Sequence, residues 1–219
     1  MRILIIAGLP NSLPEFDYDT IVGVDAGALW AVKNDLALDV AVGDFDSVSD
    51  EEMIQIIQSG AEVHKLNPIK DETDFEVALS DSLENHPDAK IRVIGALGGR
   101  LDHELTNIFL ATTPKFSNFA RQIMLQNEHN IIQYFSAGKN RIKQIAGMKY
   151  IGFIKVGADN FSIENAKYPL KAVDNFSEIY ASNEFLADDE LITINFTSGV
   201  VIAIHSSDTK LNVKAIGDF

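Results

Sequence analysis

Short β-branched runs alternate with capped helical stretches through the first half of this chain, and that alternation constrains the fold more than any other feature. Strands are expected at Ile3–Ala7, Thr20–Val24, Val40–Val42, Glu62–Leu66, Ile91–Ala96 and Gln122–Gln126. These runs are apolar with little alternation, as strands covered on both faces of a parallel sheet should be. Helix starts fall between them. Ser49-x-x-Glu52 forms a capping box ahead of Met53, Ile54, Ile56 and Ile57, with Gly60 past the last turn. Thr73-x-x-Glu76 forms a second, ahead of Phe75, Ala78, Leu79 and Leu83. Asp102 is placed to cap a third helix with Leu105, Ile108 and Phe109 inward, ended by Pro114.

From about Asn127 the texture changes. Asn130–Ala137, Tyr150–Val156, Phe161–Ile163, Glu178–Ala181, Leu191–Phe196 and Val200–Ile204 read as short strands without long helical stretches between them. Thr197-Ser198-Gly199 predicts a tight hairpin joining the last two. Such spacing points to an antiparallel sandwich or barrel. The expected architecture is an α/β domain over 1–127 with a mostly parallel, Rossmann-like sheet, followed by an all-β sandwich over 128–219.

Charge narrows the partners. Thirty-two acidic side chains against 18 basic ones leave −14 at pH 7. That balance argues against nucleic acid and anionic membranes, both of which need a basic face. A protein this acidic would need metal cations to handle phosphates. Cysteine is absent, which excludes disulfides, thiolate catalysis and cysteine-bound metals. The apolar run Ile3–Leu9 is followed by Pro10-Asn11 without a cleavage pattern, is too short to span a bilayer, and reads as a buried strand. Cytoplasmic residence is the expectation. No phosphate-binding P-loop, dinucleotide fingerprint, zinc-protease helix or nucleophile elbow occurs. His64, His86, His103, His129 and His205 form no ligand pair by spacing.

What remains is a set of aspartates placed alike. Asp25 ends the second expected strand and Gly43-Asp44-Phe45-Asp46 ends the third. Asp71-Glu72-Thr73-Asp74 follows the fourth, and Gly98-Gly99-Arg100-Leu101-Asp102 follows the fifth. Each lies beyond a strand's carboxyl end, where open parallel sheets bind ligands. Singly, Asp74 reads as a first-turn acid, Asp102 as a cap and Arg100 as a surface charge. Four acidic loops at one crevice repel each other unless a cation sits among them, and carboxylates holding Mg²⁺ and substrate phosphates meet that need. Asp44 and Asp46, two apart in an extended segment, are expected to project to the same side and share one metal. Gly98-Gly99 would turn backbone N–H groups toward a phosphate. Lys139, Arg141 and Lys143 read as a solvated strand face, and Trp30 as core.

Gly43-Asp44-Phe45-Asp46-Ser47, then Asp71-Glu72-Thr73-Asp74-Phe75, then Gly98-Gly99-Arg100-Leu101-Asp102-His103 with Asn107, resemble the thiamine pyrophosphokinase family in order and spacing. Ala166-Lys167-Tyr168-Pro169-Leu170 and Ser182-Asn183-Glu184-Phe185 are similar to that family's thiamine-domain motifs. The chain departs from the pattern at Asp25-Ala26-Gly27-Ala28, where the family usually has a second glycine after the aspartate, and at Tyr168, where some relatives carry tryptophan.

The resemblance implies an α/β nucleotide-binding domain, a β-sandwich thiamine-binding domain and a homodimer with active sites at the interface. It implies that ATP and thiamine give thiamine diphosphate and AMP, with Mg²⁺ as cofactor. By residue match, Asp44, Asp46 and Asp71 would bind Mg²⁺, with Asp74, Arg100 and Asp102 completing the catalytic set. Asp25, Gly27, Gly98, Gly99, Arg100, His103 and Asn107 would serve ATP; Thr73, Asp74, Tyr168, Ser182 and Asn183 would meet thiamine. Such a transfer needs positioning and charge neutralisation more than a covalent nucleophile. Asp71 or Asp74 would take the hydroxyl proton, and the sequence does not choose between them. Two alternatives stay open. One is a pyrophosphokinase acting on another hydroxymethyl compound such as a pterin; the other is a non-catalytic sensor of nucleotide or thiamine diphosphate.

Overall fold

The computed structural model describes residues 1–210 apart from 11, 15–16, 175–176 and 187–190. The chain divides into two compact units. One holds Met1–Leu110 and Leu125–Asn127; the other holds Ala111–Met124 and the described residues from Glu128 onward.

The first unit contains β1 (Arg2–Ile6), β2 (Thr20–Val24), α1 (Ala26–Lys33), β3 (Val40–Gly43), α2 (Asp50–Gln58), β4 (Glu62–Lys65), α3 (Asp74–Asn85), β5 (Lys90–Ile94) and α4 (Leu101–Leu110). β6 (Ile123–Gln126) enters it through its last residues. The strand order β6-β5-β1-β2-β3-β4 carries parallel pairs at β5/β1, β1/β2, β2/β3 and β3/β4. The chain steps outward from β1 to β4, then crosses back to β5 on the other side of β1. The strand order therefore reverses between β1 and β5, the position where sheets of this kind open a crevice at their carboxyl ends. Leu4, Ile5 and Ile6 are fully buried, because β1 has neighbours on both sides. Leu4 and Ile6 pack with Ala28, Leu29 and Ala31 of α1 and with Phe45, while Trp30 is half-buried against the same cluster.

Helix starts follow the local chemistry with two corrections. Ser49 and Glu52 make the full reciprocal capping box, and Thr73 accepts the Glu76 N–H at the start of α3. Asp102, expected as a cap, lies inside α4; the Arg100 carbonyl accepts the first helical bond, from Glu104 N–H at 3.0 Å. Asp102 is occupied instead by Arg100. Leu105 was expected inward but is exposed, as are Ile54 and Ile57 on α2. Their positions suit an apolar stripe, but within this chain only Ile56 of α2 and Leu110 of α4 are fully covered.

The second unit contains β7 (Asn130–Lys143), β8 (Tyr150–Val156), β9 (Ser162–Glu164), β10 (Ile179–Glu184) and β11 (Leu191–Ser206). Antiparallel pairs give the order β10-β8-β11-β7, with β9 on the first part of β11. The expected hairpin at Thr197-Ser198-Gly199 is absent. Both flanks pair with the same strand, Phe196 opposite Gly138 and Val200 opposite Ser136, so β11 is one strand with a bulge. Three residues on β11 thus face Ala137 alone, and Gly199 at φ +71° accommodates the kink. Ser198 secures it by bonding the Gly157 carbonyl and the Asp159 carboxylate. Phe153, Phe161, Ile163, Ile192, Ile194, Phe196 and Val201 form this unit's own core. Along β7, exposed Lys139, Arg141 and Lys143 alternate with buried Asn140 and Ile142, the period-two pattern of a solvated face.

Candidate functional site

The acidic loops follow β2, β3 and β4, and the parallel sheet places their starts side by side. Among the described residues, carboxylate oxygens of Asp25, Asp44 and Asp74 lie within 4.8 Å of one another. Asp74 reaches this point as the first residue of α3, held there by the Thr73 cap. Asp46 and Asp71 are exposed and lie outside this close group.

The loop after β3 is not extended, which corrects the argument for Asp44 and Asp46. Phe45 sits at φ +58° and Asp46 N–H turns back to donate to Asp44 Oδ1 at 3.0 Å. Phe45 tolerates this left-handed conformation because two contacts fix it. Its ring is buried in the core, and its N–H donates to Asp25 Oδ1 at 3.2 Å. Asp25 is itself at φ +48°, so two strained non-glycine residues meet at this point, as they do at sites where geometry is over-determined.

Burial, then the neighbouring Asp74 carboxylate, pushes Asp25 up to about 7, against the opposing pull of the Phe45 N–H. Lys70 offsets part of this crowding: its ammonium pairs with Asp74 Oδ1, and both side chains are largely covered. Sequence reasoning missed Lys70, although its position four residues ahead of Asp74 is a usable signal. Three hard oxygen donors this close, with one lysine beside them, suit a divalent cation.

Beyond β5, Gly95, Gly98 and Gly99 all take positive φ. No atom lies within 4 Å of where a Gly98 side chain would begin, so this backbone faces open space. Asn107 braces the loop from α4 by donating to the Ala96 carbonyl at 2.9 Å. Arg100 closes its fork on Asp102, with Nε to Oδ1 at 3.1 Å and Nη2 to Oδ2 at 2.6 Å. That pairing holds Asp102 down at about 2. His103 is exposed and its N–H donates to Asp102 Oδ1. Gly27 has a packing reason for lacking a side chain: a Cβ there would lie 2.0 Å from the Ile6 carbonyl oxygen.

In the second unit the two motifs that sequence placed fifteen residues apart are brought together. Ala166 bridges Phe185, and Lys167 N–H donates to the Glu184 carbonyl. Lys167 Nζ also pairs with Glu184 Oε1 at 2.7 Å. Asn183 is 4% exposed and its amide clasps Tyr168. Oδ1 accepts from Tyr168 N–H at 2.9 Å and Glu184 N–H at 3.0 Å, and Nδ2 donates to the Tyr168 carbonyl at 2.8 Å. Both acceptor positions of Asn183 Oδ1 are thereby taken, which makes it a clamp on the Tyr168 turn. Tyr168 is exposed, with Lys167 Nζ 5.6 Å from its ring centroid. Ser182, at φ +59° within a register shift of β10, is turned to solvent.

Comparison with known proteins agrees with this inventory. Residues 16–125 match the family model for the thiamin pyrophosphokinase catalytic domain, and residues 139–201 match that for its vitamin B1 binding domain. The chain is 34% identical to the thiamine pyrophosphokinase of Bacillus subtilis (strain 168), covering 94% of this chain and 99% of that one. It superposes on a thiamin pyrophosphokinase family protein from Enterococcus faecalis with TM-score 0.88 at 35% identity, covering 95% of this chain and all of the other. Against the Bacillus subtilis thiamine pyrophosphokinase structure the TM-score is 0.80 at 30% identity, with 95% and 100% coverage. Matched in both halves and along nearly its whole length, the chain belongs to the thiamin pyrophosphokinase family.

Proposed function

We infer that this protein transfers the pyrophosphoryl group of ATP to the hydroxyl of thiamine, giving thiamine diphosphate and AMP. The observation that carries the reading is the Asp25, Asp44 and Asp74 group, inside the segment matching the catalytic-domain model. Asp44 with Asp25 and Asp74 would hold Mg²⁺, and Asp46 and Asp71, which the family resemblance assigns to the metal, lie on the same loops. Mg²⁺ there supplies neutralisation of the triphosphate charge.

The chain's own groups do the rest. Gly98 and Gly99 offer backbone toward the phosphates, and Arg100 grips them by exchanging the Asp102 carboxylate for phosphate oxygens. Asp71 or Asp74 takes the hydroxyl proton as thiamine oxygen bonds to the β-phosphorus and the bond to AMP breaks. Thr73 adjoins that aspartate; Tyr168, Ser182 and the Asn183 clamp form the vitamin side, where an aromatic ring suits a cationic thiazolium. Asp25, Gly27, His103 and Asn107 support the nucleotide loops.

The first unit then serves as a Rossmann-like nucleotide domain and the second as a β-sandwich for thiamine, with a boundary near residue 127. A homodimer with active sites at the subunit interface and a cytoplasmic location complete the proposal. Among the described residues no helix is long and apolar enough to cross a membrane. The decisive experiment is incubation with Mg²⁺-ATP and thiamine, followed by chromatography. Equal yields of AMP and thiamine diphosphate support the reading; ADP with thiamine monophosphate, or no product, refutes it.

A further inference from the structure

Lys70 lies four residues ahead of Asp74, and its ammonium donates to Asp74 Oδ1 and, at 3.3 Å, to the Asn67 carbonyl. Both charged side chains are largely covered, at 18% and 17% exposure. Asp74 therefore belongs to two groups at once: the carboxylate cluster with Asp25 and Asp44, and an ion pair with Lys70. Neither end of this loop needs the lysine in order to fold. Asn67 Oδ1 already closes the turn by accepting from Ile69 N–H at 2.9 Å, and Thr73 caps α3. A cation beside the first turn of a helix also opposes the helix dipole. The ammonium is thus placed for the charge it brings to the carboxylates, against what the helix alone would favour.

We propose that Lys70 is a movable counter-cation: it holds Asp74 before a divalent cation binds, leaves that carboxylate as the cation enters, and then pairs with a phosphate oxygen of the nucleotide. The proposal rests on the Mg²⁺-ATP reading above and deepens it. A divalent cation and an ammonium on one carboxylate repel each other, and the flexible four-carbon stem makes the ammonium the one that moves. A carboxylate-bound divalent cation carries substrate phosphates with it, which brings replacement oxygens to the same place. Lysine suits this exchange better than arginine, because a compact point charge has no fork that must match two oxygens. Lys70 thereby opposes the metal when no nucleotide is present and favours the nucleotide once the metal is in place. Metal and triphosphate then enter together.

The test uses two probes, neither of which requires turnover. One is Mn²⁺ alone, followed by electron paramagnetic resonance; the other is ATP at saturating Mg²⁺ without thiamine, followed by calorimetry. Lys70→Met should bind Mn²⁺ at least threefold more tightly than wild type and ATP at least tenfold more weakly. Lys70→Gln keeps a donor for Asp74 without the charge, so it should shift both probes in the same directions. It decides the matter should the methionine variant not fold. Lys70→Arg keeps the charge and should bind Mn²⁺ no more tightly than wild type; tighter binding overturns the proposal. A lysine that only braced the loop would, on removal, weaken both probes or change neither. Any pattern other than opposite shifts overturns the proposal, tighter Mn²⁺ with unchanged ATP included. Asp44→Asn should weaken Mn²⁺ at least tenfold. If it does not, the cation reading of the aspartate group fails and this proposal with it; if it does and the opposite shifts are missing, this proposal alone fails. Opposite shifts in a protein that forms no thiamine diphosphate refute the transfer reading and not this one.

Discussion

Asp25 occupies the space that a side chain on Gly43 would need: a Cβ at Gly43 would lie 1.9 Å from Asp25 Oδ1 and 2.8 Å from its Cγ. The last residue of β3 is glycine for two reasons: its φ of +156° disfavours a side chain, and the Asp25 carboxylate, which reaches Phe45 N–H and the other two aspartates, fills the space one would need.

Gly43→Ala should therefore displace Asp25, break its bond to Phe45 and cost about 1–3 kcal/mol of stability, with a larger proportional loss of turnover. In an Asp25→Ala background the same substitution should cost less, since the obstructing carboxylate is gone and only the strain of a side chain at φ +156° remains. Chemical denaturation of the four proteins in this double-mutant cycle checks the coupling. Equal cost in both backgrounds would show that the φ at Gly43, and not the Asp25 carboxylate, demands glycine.

Arg100→Lys keeps the positive charge but loses the fork that holds both Asp102 oxygens at 2.6 and 3.1 Å. Steady-state kinetics should show KM for ATP raised about tenfold, or about 1.4 kcal/mol, with KM for thiamine unchanged. Matching ATP kinetics in variant and wild type would return Arg100 to an ordinary surface ion pair with Asp102.

Asn183→Ala leaves the Tyr168 N–H and carbonyl without their partners, a loss of about 1–3 kcal/mol for each group that stays buried. The Tyr168 turn should loosen, raising KM for thiamine severalfold to a hundredfold and leaving ATP binding unaffected. Asn183→Asp, which can still accept from both N–H groups but cannot donate, should fall between. A direct thiamine contact without a clamping role would leave amide hydrogen exchange at Tyr168 unchanged, which the exchange measurement reads separately from KM.

These sites show where sequence was legible and where it was not. The parallel strands, the Ser49 box and the alternation along β7 were readable because each depends on neighbours within a few residues. The hairpin at Thr197-Ser198-Gly199 was misread because turn residues and bulge residues are the same types, and only pairing with β7 distinguishes them. Asp25 and Asp44 were both visible as loop acids. That Asp25 and Asp74 join Asp44 more closely than Asp46 does depends on the left-handed Phe45, held by the long-range Asp25 contact.

His205 is fully buried, stacked on Phe185 with its Nε2 3.2 Å from Gln133 Oε1, and burial pulls it down to about 4. An imidazole whose folded value is depressed stays neutral in the folded state while the unfolded chain takes up a proton below about 6.5. Its contribution is complete above that pH and is lost as pH falls toward 4, amounting to something on the order of 3 kcal/mol. Urea midpoints of wild type and His205→Phe, measured from pH 7 to pH 4, should diverge, with wild type losing more. Parallel curves would assign the acid sensitivity to other groups.

On the proposed reading the Asp25, Asp44 and Asp74 group, whose carboxylate oxygens lie within 4.8 Å of one another, holds the divalent cation on which pyrophosphoryl transfer depends. The direct measurement is turnover as a function of free Mg²⁺ at saturating ATP and thiamine, for wild type and for Asp44→Asn. Removing that charge while keeping the side chain's size should raise the half-saturating Mg²⁺ concentration at least tenfold and lower maximal turnover about a hundredfold, or roughly 2.7 kcal/mol in the barrier. The melting temperature should be unchanged or higher, because repulsion within the group is relieved. Superimposable Mg²⁺ curves with equal maximal turnover would contradict the account.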